Sequence, residues 1–275
     1  MKPVKHLLRF KTPLYLASMF ALSIIFILPS LSYAETAMEI MQKVEDRDEG
    51  DNGISEMEMI LIDKRGNERI RKIKSFTKYK GEDRHRIMFF LHPADVKGTG
   101  FLTYDYDDPK IDDDQWLYLP ALRKSKRIAS SDKDGSFMGS DLTYADMTSR
   151  NLEDYEYKLL KEDSVDGQPV WIIESNPNAK AVEETGYTKS IIFVRKDNYV
   201  VIRAKHWVKD GDREKYLNVK KLEQIDGIWV TTELQVTTKK GKNTLHKTVL
   251  KFSNVKYNQK FSEDIFTVRN LEKGL

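Results

Sequence analysis

Between residues 36 and 48 the apolar positions fall at helical spacing. Ala37, Ile40, Met41 and Val44 stand at i, i+3, i+4 and i+7 and so share one helix face. The acidic, glycine-containing run from Asp46 to Gly53 ends that helix. The period then drops to two. Met57, Met59 and Leu61 alternate with Glu56 and Glu58. Val200, Ile202, Ala204 and Val208 oppose Arg203 and Lys205, and Ile228, Val230, Leu234 and Val236 oppose Thr231, Glu233 and Gln235. Such alternation predicts antiparallel strands with one apolar and one wet face. Asp166-Gly167, Lys196-Asp197-Asn198, Asp210-Gly211, Asp226-Gly227 and Lys240-Gly241 read as hairpin turns. Their spacing predicts roughly 10 to 12 strands in a meander, sandwich or barrel.

Residues 131–154 carry no period-two pattern. Asp141 to Arg150 reads as a short helix capped by Ser140 or Asp141, in a segment laid over the sheet, and a second short helix begins near Ser262. No repeat or low-complexity linker divides residues 35–275, which read as one domain. The predicted class is mainly β (α+β). A large antiparallel sheet with one apolar face must cover that face, and only two or three short helices are at hand. The sheet therefore either closes into a barrel or curls around the helices as a half-barrel. Both leave a concave apolar interior suited to a greasy ligand.

The N-terminus changes the picture of compartment and charge. Lys2, Lys5, Arg9 and Lys11 precede an apolar run from Leu14 to Leu28, and Ser32-Tyr33-Ala34 supplies small residues for cleavage before Glu35. This is the pattern of a secretory signal peptide over residues 1–34, with a core short for a bilayer span. The whole chain has 46 Lys and Arg against 43 Asp and Glu, and four of the basic residues but none of the acidic ones precede Glu35. Residues 35–275 are thus nearly neutral, without the basic excess of a nucleic-acid-binding protein. The chain has no cysteine, which excludes disulfides, thiolate metal sites, a cysteine nucleophile and an acylated N-terminal cysteine.

Catalytic motifs are missing. His85, His92, His206 and His246 form no HExxH pattern, and His206, on the apolar side of its strand, reads as a satisfied core residue. There is no G-x-S-x-G, and no base is placed to activate Ser136 or Ser140. There is also no phosphate-binding glycine loop. The acidic run at Asp46 would need a glutamate at its twelfth position to bind calcium as an EF-hand does, and Met57 stands there. The carboxylates of Asp105 to Asp114 read as solvated turns. A non-enzymatic protein without cofactor or metal is expected. The basic cluster Arg123, Lys124, Lys126 and Arg127 follows the aromatic run Trp116 to Pro120 and admits two readings. It is a docking patch for an anionic head group or an acidic partner, or else a sheet edge protected by charge.

The strings HPADVKGTGFLTYDYDDP, DDDQWLYLPALRKSKRIA and DGSFMGSDLTYADM, densest from His92 to Met147, resemble the LolA-like outer-membrane lipoprotein-sorting protein family. The N-terminal helix with the strand that follows it is similar to that family too. The resemblance implies a periplasmic half-barrel holding short lid helices in its concave face, and a cavity for lipid or lipoprotein acyl chains. Many such proteins look like partners of inner-membrane RND-type (MMPL-like) exporters. The expected function is therefore a monomeric periplasmic carrier. The alternative is a ligand-free accessory subunit of such an exporter. Candidate cavity and lid residues are Met57, Met59, Leu61, Phe89, Trp116, Tyr118, Phe137, Met138, Val200, Ile202, Val230 and Leu234, with Phe137 to Asp146 as the lid. Arg123, Lys124, Lys126 and Arg127 are the docking candidates.

Overall fold

Thr36 and Glu39 open the first helix, α1 (Ala37–Glu45), with reciprocal caps: the Thr36 hydroxyl accepts from the Glu39 N–H and the Glu39 carboxylate accepts from the Thr36 N–H. The computed structural model describes residues 35–275, so the predicted signal peptide lies outside the described residues. The predicted face of α1 is the one that packs. Ala37, Ile40 and Met41 are buried, and with Val44 they meet Trp171, Ile173, Ile192 and Val194.

Thirteen strands follow, in one antiparallel sheet. They are β1 (Gly53–Asp63), β2 (Glu68–Lys80), β3 (Asp83–His92), β4 (Gly100–Asp105), β5 (Asp114–Leu119), β6 (Lys124–Arg127), β7 (Tyr155–Val165), β8 (Gln168–Pro177), β9 (Tyr187–Arg195), β10 (Val201–Val208), β11 (Arg213–Ile225), β12 (Ile228–Lys240) and β13 (Asn243–Lys256). Each strand pairs with its neighbours in sequence except across the break between β6 and β7, and β1 also pairs with β13. Asp166-Gly167 and Asp226-Gly227 make tight hairpin loops with positive φ at both residues, as their types predict. The sheet runs β6-β5-β4-β3-β2-β1-β13-β12-β11-β10-β9-β8-β7, so its two open edges, β6 and β7, are consecutive in the chain. The result is an open, curved half-barrel and not a closed barrel.

The connection between the edges, residues 128–154, crosses the face that also holds α1, which we term the inner face. It is built of short 3₁₀ turns, including Phe137–Gly139 and Ala145–Met147, where the capping pattern predicts a helix over Asp141 to Arg150. Within that span only the turn Ala145–Met147 forms, and Thr148, in extended conformation at φ −123° and ψ 170°, ends it, so no helix continues to Arg150. The sequence pattern also misses α2 (Ala179–Thr185), although Asn178 caps its start and Gly186, in the left-handed region, ends it.

The outer face carries its own apolar clusters. A 3₁₀ turn at Glu263–Phe266 and then α3 (Val268–Lys273), the C-terminal elements, cover Phe76, Ile87, Phe89 and Leu102. Gly100 admits this packing: a Cβ there would stand 2.5 Å from Leu271 Cδ1. Gly100→Ala is expected to lower stability in urea unfolding by about 1–3 kcal/mol through overpacking. Leu271→Ala in the same chain should cost less than the sum of the two single changes, because the clash is gone; strict additivity would refute this account.

Candidate functional site

Two apolar groups lie on the inner face. Met57, Met59 and Leu61 of β1, Ile73 of β2, Met88 and Phe90 of β3, and Phe101 of β4 form one, with Leu234 and Val236 of β12. Phe137 of the connection is inserted into this group. Its ring centroid is 4.9 Å from that of Phe101, 5.6 Å from Tyr144 and 6.3 Å from Phe90, and the residue is 1% exposed. The second group is the one beneath α1.

Of the sequence candidates, Met57, Met59, Leu61, Phe137, Met138 and Leu234 therefore come together. Val230 lies on β12 at the same parity as Leu234 and is half-buried. Phe89, Trp116 and Tyr118 do not join them. They sit on the outer face under the C-terminal elements, because Met88 and Phe90 take the inner parity of β3 and Leu117 that of β5. Val200 and Ile202 are likewise on the outer face, with Val165, Val170 and Ile172. A bulge between Val201 and Arg203 shifts the register, so Val201, Ala204 and His206 line an inner cavity while Ile202 faces out. Strict alternation through β10 therefore assigned Ile202 to the wrong side.

The connection is pinned at many points. Asp141, whose side chain is 1% exposed, accepts from the Thr238 hydroxyl and from Thr248 Oγ1 at 2.7 Å, and His246 Nδ1 lies 2.8 Å from its Oδ2. The Asp141 N–H also donates to Thr248 Oγ1 at 2.9 Å. The Met138 carbonyl accepts from Arg71, and the Tyr144 carbonyl accepts from Gln115. Asp146 Oδ2 accepts from Tyr187 Oη and from the Thr143 N–H, each at 2.8 Å. Burial alone would raise the Asp146 pKa, but Lys215 and the Thr143 N–H together hold it below its ordinary value. Lys133, 1% exposed, pairs with Glu184 of α2 at 2.9 Å. The connection is a tied plug, not a loose flap.

Beside the plug the inner face becomes charged. Arg84 donates to Glu49 and, at 2.7 Å, to Asp105, and these two carboxylates raise its pKa against the opposing effect of burial. Asp105 also accepts from the Ser149 N–H and hydroxyl and is 6% exposed, so it is no solvated turn residue. Asp113, in the same acidic stretch, is pushed up to about 6 by burial and by Asp105. Glu45, exposed at the end of α1 but lining both cavities, is pushed up to about 7 mainly by desolvation, with Glu49 and Asp105 adding and Arg150 opposing. His206 is lowered to about 3 by burial and by Arg150; it stacks on Tyr187 at 4.6 Å and its Nδ1 is 2.7 Å from Ser190 Oγ, a neutral core histidine.

Two cavities open around these charges. One, of about 670 Å³, is largely polar, and its wall includes Glu45, Glu49, Arg84, Asp105, Arg150 and Glu184. The other, of about 290 Å³, shares Glu45, Glu49, Tyr79, Arg84, Thr148, Ser149 and Arg150 with the first, and its remaining wall is Met41, Val44, Ile192, Val201, Ala204 and Leu217 beside His206. Sequence reasoning missed Arg84 and Arg86, although both stand at the parity of Met88 and Phe90. Asp141, Asp146 and Arg150 carry no periodic signal. Among the described residues no cluster of His, Asp and Glu is arranged to hold a metal ion.

The docking candidates are all exposed on or beside edge strand β6. Arg127 pairs with Asp114, and Lys126 lies 3.5 Å from Asp132. A four-residue charged strand at an open edge also protects that edge from pairing.

A family model described as uncharacterized protein-like matches residues 82–273. A DUF1329 family protein from Desulfovibrio piger is 32% identical over 86% of this chain and 97% of its own, with a TM-score of 0.78. A candidate outer membrane lipoprotein-sorting protein domain from Vibrio parahaemolyticus is also 32% identical, over 86% of this chain and 98% of its own, with a TM-score of 0.76. A LolA superfamily protein from Nitrosomonas europaea shares the fold at 19% identity and a TM-score of 0.65, over 86% of this chain and all of its own. No curated protein matches the chain.

Proposed function

The chain belongs to the DUF1329 family of LolA-like proteins, and from that premise we propose that it is a periplasmic carrier that binds lipid or lipoprotein acyl chains on its inner face. The observation that carries this reading is the continuous apolar lining from β1 through β12, covered by a separate connection and not by a second sheet. A covering segment of that kind leaves the lining available when it shifts. Apolar burial contributes about 25 cal/mol per Å², so an acyl chain entering the group around Met57, Met59 and Leu61 would offset the contacts that Phe137 gives up. The cavity of about 670 Å³ lies near the middle of the range of about 300–1,000 Å³ for small-molecule sites, and that of about 290 Å³ just below it. A diacyl cargo therefore requires the plug to move.

A second reading has its own support. The plug fills the inner face over β1 to β4, as a ligand-free accessory subunit of an RND-type exporter would require, and Arg123 and Lys124 stand exposed beside the edge for docking. Native mass spectrometry separates the two. The full chain, exported from its host and purified without detergent, is expected to carry a stoichiometric acyl-chain adduct or to take one up from added phospholipid or lipopeptide. A bare mass after such additions would favour the accessory reading and direct attention to Arg123 and Lys124.

A further inference from the structure

Arg84 has carboxylate partners in Glu49 and Asp105, but its two neighbours in charge do not. Arg86, on the inner parity of β3, and Arg150, at the end of the connection, are both half-buried. Among the described residues neither guanidinium has a carboxylate oxygen within ion-pair distance. Arg150 lies over the Tyr155 ring, 5.9 Å from its centroid, and lines both cavities. Secluding a charge without a hydrogen-bonded counter-charge is costly, and native proteins seldom leave such a group without a role. A guanidinium also presents a planar fork that matches a carboxylate or phosphate with two hydrogen bonds.

The wall opposite Arg150 is of another kind. Met41 and Val44 of α1, Ile192 of β9, Val201 of β10 and Leu217 of β11 supply an apolar lining to the smaller cavity. The charged and apolar walls meet where the two cavities share Arg84, Ser149 and Arg150. We propose that this junction is a binding site for an amphiphile with an anionic head: its chain lies along Met41, Val44, Ile192, Val201 and Leu217, and its carboxylate or phosphate is held by Arg150. This inference rests on the carrier reading and specifies its cargo. Glu45 and Glu49 both face this junction; Glu49 is paired with Arg84, and Glu45 opposes an incoming anion. Its raised pKa lets it take up a proton near neutral pH and so yield that position.

The test compares a fluorescent fatty acid with its methyl ester, which has the same chain and no charge. Wild-type protein is expected to bind the acid about 10- to 100-fold more tightly than the ester, the effect of one or two charge-assisted hydrogen bonds. Arg150→Gln, checked by near-ultraviolet circular dichroism, should weaken binding of the acid and leave the ester unchanged. Inorganic phosphate at millimolar concentration should not displace the acid, because the site needs the chain. Displacement by phosphate alone would overturn the amphiphile and leave a free-anion site. Equal binding of acid and ester by the wild-type protein, a measurement that needs no variant, would overturn the anionic head while leaving the carrier reading intact. Binding of neither probe would remove both.

Discussion

Asp141→Ala is expected to lower the stability of the protein by about 2–4 kcal/mol in urea unfolding, the cost of leaving several buried donors without an acceptor. The donors are the Thr238 and Thr248 hydroxyls and the imidazole of His246. These three side chains come from β12 and β13 at the middle of the sheet, far along the strand order from either edge. Asp141 is thus the point at which the connection is fastened to the centre of the inner face. Part of the effect should be local. Amide hydrogens of residues 136–147 should exchange faster in the variant than the strands around them, because the turn at Phe137–Gly139 loses its anchor. Uniform exchange in that segment, indistinguishable from the wild-type protein, would deny Asp141 the role of a latch. Asp141→Asn keeps the shape but not the charge, and should fall between the two.

Phe137→Ala is expected to cost about 3–5 kcal/mol, as for other large-to-small changes at fully buried aromatic positions. The space left would lie between Phe90, Phe101 and Tyr144, whose rings hold Phe137 from three sides. Read as a lid residue from sequence, Phe137 should tolerate a charged replacement with loss of ligand retention but not of the sheet. Its burial changes that expectation, because the residue is part of the core that joins β3 and β4 to the connection. A thermal or urea midpoint near that of the wild-type protein would show that the plug packs on the sheet without stabilising it.

The strands and their turns were legible because alternation and positive-φ loop residues are local signals. Met57, Met59 and Leu61 against Glu56 and Glu58 needed nothing beyond the period of two, and Asp226-Gly227 needed only its own turn chemistry. What failed was parity carried across an irregularity. One bulge after Val201 sends Ile202 outward, and no composition cue marks it. Nor does alternation say which of two apolar faces is concave. Phe89 and Phe90 are adjacent and both buried, yet one meets the C-terminal helix and the other the plug. The connection was the least legible part. Its turns are fixed by partners 29 to 107 residues away in the chain, Asp141 by Thr238, His246 and Thr248 at the far end of that span, so no short window of sequence contains the cause. The interior charges lay in plain view at Arg84 and Arg86, but an arginine on a strand reads as solvent-facing unless its parity is followed to Met88 and Phe90.

The carrier account stands most directly on where an acyl chain lies. The measurement is photo-crosslinking of the full protein with a fatty acid bearing a diazirine at the chain end, followed by peptide mass spectrometry. Adducts are predicted on α1 around Met41 and Val44 and on the inner positions of β1 and β12, Met57, Met59, Leu61 and Leu234. Adducts confined to the outer face, at Phe89, Trp116 or Ile202, or no specific adduct at all, would contradict an acyl-binding inner face.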